Sequence, residues 1–257
     1  MKTEASKISA LLITFNEIEH IAAVLENLSF ADEIIVVDSF STDGTAEVAA
    51  KAEGVHLIQR PFVSFTDQKS FALEQAGHPW ILFTDADERI PERLKEEILT
   101  TVGEVENPAS AYYFRRTFMF KEEVLRFSGW QSDKNFRLWQ KEQCHFDPER
   151  IVHETLIVNG PTAVLQNKLI HYSYSSYEDY KAKMVKYGQM KAREEFARGK
   201  RFLWPARWLR PWYKFFNHYF LRLGILDGKK GIIISYLNAL GVHARYKELI
   251  RLRREGD

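Results

Sequence analysis

Over roughly the first ninety residues, short apolar runs alternate with stretches of helical spacing, a pattern that a layered α/β fold satisfies. Ile8–Thr14 (ISALLIT) is an apolar run flanked by polar residues, as expected of a strand buried on both faces. From Glu17 to Leu28 the apolar positions Ile18, Ile21, Val24, Leu25 and Leu28 recur at helical intervals. Glu33–Val37 is a second strand, ending at Asp38, and Thr45–Glu53 a second helix closed by Gly54. Val55–Gln59, Asp67–Ala76 and Trp80–Thr84 continue the series as strand, helix and strand. The expected product is a mostly parallel sheet with helices on both faces. Polar residues cluster after each strand, where open α/β sheets bind ligands. Beyond Gly103 the pattern turns to aromatic-rich strands, Ala111–Phe120 and Phe136–Trp139, and from Tyr177 it reads as helices.

The feature richest in chemistry follows the fourth strand: Thr84-Asp85-Ala86-Asp87-Glu88. Carboxylates crowded at a strand end repel one another unless a positive group lies between them. A hard divalent cation, Mg²⁺ or Mn²⁺, takes one or two carboxylates and completes its shell with substrate phosphates. Alternatively, the run is a solvated acidic loop capping a helix over Pro91–Thr101. Asp38-Ser39-Phe40-Ser41-Thr42-Asp43-Gly44-Thr45 also follows a strand. There Asp38 is the candidate binding residue, and Asp43-Gly44-Thr45 reads as a turn and helix cap.

Ile13-Thr14-Phe15-Asn16-Glu17, the Asp38–Thr45 run, Gln68-Lys69 and Asp85-Ala86-Asp87-Glu88, in this order, resemble the family 2 glycosyltransferases of the GT-A fold. Later features are similar to the bacterial lipopolysaccharide-core β-glucosyltransferase branch: Trp130, Asp133 and Arg137-Leu138-Trp139, then Val152-His153-Glu154, then Leu226-Asp227-Gly228 with Gly231. The resemblance departs at Phe40, where a small residue is usual, and at Ser70, where Asn often stands. It implies a GT-A domain, a Rossmann-like mostly parallel mixed sheet with flanking helices, and a C-terminal helical extension. It further implies an inverting hexosyltransferase using a UDP- or similarly activated sugar and a divalent metal. By the same resemblance Thr14, Phe15, Glu17 and Asp38 hold the nucleotide, Asp85 touches the ribose and Asp87 ligates the metal.

Inversion needs a general base on the acceptor hydroxyl, opposite the leaving diphosphate. Glu154 and Asp133 are the candidates, and His153 as a neutral imidazole is a candidate to complete the metal shell. Lys69 and Arg137 are cations suited to diphosphate oxygens, or ordinary surface charges. A nucleotidyltransferase also uses strand-end carboxylates and a metal, but it needs a basic, Gly-rich triphosphate loop near the first strand, and Thr14–Glu17 has none. A non-enzymatic nucleotide-sugar or membrane binder fits poorly with an intact Asp87 beside a candidate base.

Composition divides the chain. Residues 191–257 hold 16 Lys/Arg against 6 Asp/Glu, so the formal charge of +1 conceals an acidic front and a basic tail. The expected division is a catalytic domain over 1–190 and a basic aromatic tail over 191–257. Trp204, Trp208, Trp212, Tyr213, Phe215, Phe216, Tyr219 and Phe220 are interleaved there with Arg207, Arg210, Lys214 and Arg222. On helices too polar to span, that mixture suits the surface of an anionic membrane. A helical cap packed on the catalytic domain is the competing reading. The acidic front half argues against nucleic acid as a partner. The start lacks a signal-peptide-like apolar stretch, and no segment reaches the roughly 18–20 apolar residues of a span. The single cysteine, Cys144, fits a reducing compartment and reads as a small buried hydrophobe. The expectation is therefore a cytoplasmic enzyme, peripheral at the inner face of the cell membrane. Its acceptor is a glycolipid such as lipopolysaccharide core, with a polysaccharide precursor or a protein as the alternatives.

Overall fold

The structure is a computed structural model that describes residues 6–103, 106, 108–120, 123–129, 133–147, 155–174, 176–199 and 204–256. These residues form two compact units. The first comprises residues up to Arg116 together with Asp133–His171; the second comprises Thr117–Ser132 and Tyr172–Asp257.

The first unit opens with β1 (Ile8–Thr14), α1 (Ile21–Asn27), β2 (Glu33–Asp38), α2 (Thr45–Lys51), β3 (Val55–Gln59), α3 (Phe65–Gln75) and β4 (Trp80–Phe83). After the two-residue β5 (Glu88–Arg89) come α4 (Glu92–Gly103) and β6 (Ala111–Phe120). The chain passes into the second unit for β7 (Glu123–Leu125) and returns for β8 (Lys134–Gln140), β9 (Cys144–Phe146), β10 (Leu156–Val158) and β11 (Thr162–Tyr174). Among the described residues the main sheet runs β3-β2-β1-β4-β8-β6-β11-β5, with β7 on the end of β6, while β9 and β10 make a separate ribbon. β1, β2, β3 and β4 pair in parallel. β8 then joins β4 antiparallel, and β6 joins β8 antiparallel.

Alternation along the parallel strands explains their unbroken apolar runs. Ile8, Ala10 and Leu12 of β1, with Ile34 and Val36 of β2, pack with Val24 and Leu25 of α1 and Leu94 and Ile98 of α4. Leu11, Ile35 and Val37 point to the other face, against Ala72 and Leu73 of α3. Both faces are buried, so neither set of positions tolerates a polar side chain. Cys144 belongs to this second cluster. Burial pushes its thiol up to about 12, in keeping with a packing role.

The second unit holds α5 (Tyr177–Ala197), α6 (Ala206–Phe216) and α7 (Lys229–Gly256), and the expected junction at residue 190 falls within α5. Phe118, Phe120 and Leu125 share a core with Tyr180 of α5 and Ile234 and Leu237 of α7. Asp227 ties the hairpin after β6 to this unit, because its carboxylate accepts the backbone N–H groups of Arg126 and Phe127 at 3.0 Å each. Among the described residues no helix is long and apolar enough to cross a membrane.

Candidate active site

The parallel register brings three strand ends level: Thr14 lies opposite Asp38, and Asp38 opposite Gln59. Asp38 is fully buried and takes four hydrogen bonds. Thr14 Oγ1 (3.0 Å) and Ser41 Oγ (2.5 Å) donate to Oδ1; Ser41 N (2.8 Å) and Gln59 Nε2 (3.1 Å) donate to Oδ2. Burial alone pushes this carboxyl up, but the Ser41, Gln59 and Thr14 donors outweigh it and hold Asp38 below the usual carboxylate range. The same row laces two loops together. Asn16 N donates to Ser41 Oγ, Thr42 N to Asn16 Oδ1, Ile18 N to Asp43 Oδ2 and Glu17 N to Thr45 Oγ1. Gln68 of α3 reaches the loop through Ser39 Oγ at 3.1 Å. On this framework Phe15 and Phe40 stand half exposed, and Phe40 is held at φ 58°, a left-handed conformation costly for an aromatic residue.

The Asp85–Glu88 loop leaves β4 and is closed on itself. Glu88 N donates to the Asp85 carbonyl (3.0 Å), and Asp85 N donates back to Glu88 Oε2 (3.1 Å). The Arg89 guanidinium donates to the Ala86 and Glu88 carbonyls at 2.7 Å each, which fixes the turn. Arg137, from β8, pairs through Nη2 with Asp85 and with Glu88 Oε1 at 2.7 Å. Arg116, from β6, approaches Glu88 Oε1 at 3.6 Å and makes a two-pronged pair with Asp133 Oδ2, its Nε at 2.6 Å and Nη2 closer still. The Lys69 ammonium lies 4.7 Å over the Phe83 ring.

These cations set the two ends of the loop apart. Burial pushes Asp85 up, yet Arg137, then Lys69, His171 and Arg116, bring it down to about 2. Its side chain keeps 38% of its surface exposed. Glu88 has none; there burial wins, with the neighbouring Asp85 charge adding to it, and the carboxyl is raised despite Arg137.

Asp87 stands apart. Its Oδ2 meets His171 Nε2 at 3.1 Å, and among the described residues no arginine or lysine reaches it within ion-pair distance. His171 is carried there by β11, whose register puts it opposite Glu88, and its Nδ1 lies 3.5 Å from Arg116. A carboxylate and an imidazole side by side, one oxygen and one nitrogen donor, suit Mn²⁺ better than Mg²⁺, which prefers oxygen ligands alone. Among the described residues no three His, Cys, Asp or Glu side chains converge as a metal cage. Phosphate oxygens and water would therefore complete the shell around Asp87 and His171.

The structure thus brings Asp85, Asp87, Arg137, Lys69 and Asp133 to one charged cluster, and Thr14, Phe15, Glu17 and Asp38 to the neighbouring strand-end loops. His153 and Glu154 lie outside the described residues. Sequence reasoning missed Glu88, Arg116 and His171 as members of the cluster. Glu88 was visible beside the acidic pair. Arg116 and His171 carry no local signal, because only sheet register brings them in.

Carboxylates at the carboxyl ends of a mostly parallel sheet, followed by antiparallel strands that carry in their counter-charges, are the arrangement of a GT-A-type glycosyltransferase. The chain belongs to glycosyl transferase family 2, whose sequence profile matches residues 9–171. It is 28% identical to LpsC of Rhizobium meliloti, a lipopolysaccharide core biosynthesis glycosyltransferase, over 93% of both chains. An uncharacterized glycosyltransferase of Rickettsia conorii is 29% identical over 98% of this chain and 92% of its own. In fold it is similar to TarS of S. aureus, solved with UDP-GlcNAc, at a TM-score of 0.51 and 15% identity, over 94% of this chain and 92% of the other.

Proposed function

We propose that this glycosyltransferase moves a hexose, glucose first among them, from a UDP-sugar to a glycolipid such as lipopolysaccharide core. Transfer proceeds with inversion, at the inner face of the cell membrane. The observation that carries this reading is the division of charge in the Asp85–Glu88 loop. Arginines compensate Asp85 and Glu88, while Asp87 is left with a neutral-capable donor, His171. Asp87 and His171 would hold the divalent cation, which supplies charge stabilisation for the leaving diphosphate. Thr14, Phe15, Glu17 and Asp38 frame the nucleotide side, with Asp38 acting chiefly by fixing the loop around it. Lys69 and Arg137 act through Asp85, holding it ionised toward the ribose.

Glu154 is the general base in this reading and Asp133 the alternative, because Asp133 Oδ2 already takes two donors from Arg116. The likeness to LpsC favours a glycolipid acceptor over a polysaccharide precursor or a protein. TarS, which shares the fold, is solved with UDP-GlcNAc, and this supports a UDP-sugar donor. The exposed aromatic face of α6 supports contact with an anionic membrane surface. A catalytic role for the first unit and an anchoring role for part of the tail complete the reading.

Radiolabelled nucleotide sugars incubated with Mn²⁺ test it. Slow donor hydrolysis should appear for a UDP-sugar, vanish with chelator and vanish in Asp87→Asn. Glu154→Gln should lower transfer by about 100- to 10,000-fold while UDP affinity stays. Full turnover in excess chelator removes the metal from the mechanism. A wild-type Glu154→Gln beside a dead Asp133→Asn moves the base to Asp133.

A further inference from the structure

The second unit carries a concentration of positive charge that the chemistry above does not use. Lys214 and His218 stand one turn apart on the same side of α6 and its continuation, and Arg222 follows one turn later. Arg222 is anchored by its carbonyl, which accepts Ser128 N at 2.8 Å. Its guanidinium lies so close to Gly129 that a side chain there would collide with it. Arg245 of α7 stands close enough for its charge to act on Lys214, and its guanidinium lies against the Tyr246 ring. Its only carboxylate among the described residues is Glu195, at 3.6 Å, and its buried Nε has no hydrogen-bond partner there.

His218 is 4% exposed, and neither ring nitrogen makes a hydrogen bond among the described residues. The backbone of Ser128 lies beside the ring without hydrogen-bond geometry. Among the described residues neither Lys214 nor Arg222 has a carboxylate within ion-pair distance. The nearby Asp227 is committed to the Arg126 and Phe127 N–H groups.

Cations gathered with a single carboxylate among the described residues, Glu195 beside Arg245, repel one another. Burial lowers Lys214, and Arg222 and Arg245 lower it further. Burial, then Lys214 and Arg222, bring His218 down to about 4. An anion offsets the repulsion and gives the buried nitrogens a partner.

We propose that Lys214, His218, Arg222 and Arg245 form a binding site for a phosphate group in the second unit. Donors on several cationic side chains match the oxygens of a phosphate better than a single-charged carboxylate. The site stands independently of the donor chemistry in the first unit. The phosphate comes either from a lipid headgroup or from a free phosphate.

The test uses the full chain and two probes. In the first arm inorganic phosphate is titrated against chloride of equal ionic strength, with thermal unfolding and the NMR signals of the His218 ring as readouts. In the second arm flotation compares vesicles carrying phosphatidic acid with vesicles of equal charge carrying a fatty acid. Saturable stabilisation and a moved His218 signal with inorganic phosphate identify a free-phosphate site. Preference for phosphatidic acid over charge-matched vesicles, with no response to inorganic phosphate, identifies a headgroup site. In either case Lys214→Met and Arg222→Gln should each weaken binding by about tenfold or more. Lys214→Met should also raise the melting temperature without phosphate, because one repelling charge is gone. Arg222 is exposed, so its variant retains the fold and keeps the comparison interpretable. The proposal is overturned if neither probe is preferred over its charge-matched control, or if both variants bind as tightly as wild type.

Discussion

At the scale of single residues, the candidate site rests on Arg137 more than on any other side chain. It is 6% exposed as a side chain and stands between two carboxylates that would otherwise face each other. Removing one partner of a buried ion pair strands the other, at a cost of about 3–5 kcal/mol. Arg137→Met should therefore lose that order of stability in urea unfolding at neutral pH. The pH dependence has a defined sign. Asp85 is depressed from 3.8 to about 2, so its stabilising share is complete above 3.8 and disappears as the pH falls toward 2. Glu88 is raised, so it contributes in the opposite sense, and protonating it relieves strain. The gap between wild type and Arg137→Met should narrow steadily below neutral pH, since acid neutralises the very carboxylates the variant leaves uncompensated. A gap that stays constant down to pH 3 would show that Arg137 acts by packing alone. The acidic residues of this site were legible in the sequence because they follow an apolar strand. Their counter-charges were not. Arg116 and His171 sit on β6 and β11, far along the chain from Asp87, and a lone Arg or His in a strand has no period or neighbour that announces its function.

At the scale of elements, the alternating first half was read closely because propensity, periodicity and turn chemistry agree there. β3 and β6 fall where the apolar runs place them, and α1 begins at Ile21, after a turn whose Glu17 and Ile18 N–H groups are taken by Thr45 and Asp43. The tail was harder. α6 and α7 are both basic, yet their burial differs. Ile234, Leu237, Tyr246 and Leu249 of α7 are core. On α6, by contrast, Leu209 is 65% and Trp212 72% exposed, and Trp208 and Phe216 are half exposed. Trp204, Trp208, Trp212, Phe216 and Phe220 recur every four residues and line one side, a pattern that composition averages conceal. If that side enters a lipid interface, Leu209→Ser with Trp212→Ser should cut binding to anionic vesicles several-fold. The same pair should leave stability within about 0.5 kcal/mol per site, as for other exposed positions. Co-sedimentation and urea unfolding check the two halves. Unchanged vesicle binding would reduce the stripe to an ordinary exposed patch.

At the scale of the whole molecule, front and tail carry opposed charges, and the packing limits which part of the tail can act as an anchor. A tail that only anchors can be removed with donor hydrolysis intact. Here removal of residues 201–257 takes α7 away as well as α6. Phe118, Phe120, Leu125 and Tyr180 then lose Ile234 and Leu237, and Ala192 loses Tyr246 and Leu249. Uncovering buried apolar side chains forfeits roughly 1.5–3 kcal/mol for each one fully exposed, which is enough to unfold the second unit outright. Truncation at residue 200 should therefore yield aggregated protein or lose a cooperative transition in calorimetry, whereas the Leu209 and Trp212 pair keeps it. The intact chain should bind anionic vesicles more weakly as salt rises. Each surface cation contributes about 1 kcal/mol near such a membrane and less as the Debye length shortens. A residual salt-insensitive part should persist, because aromatic insertion is not screened. A soluble, folded truncation with the wild-type transition would show that α7 is dispensable to the second unit and that the whole tail is one detachable element.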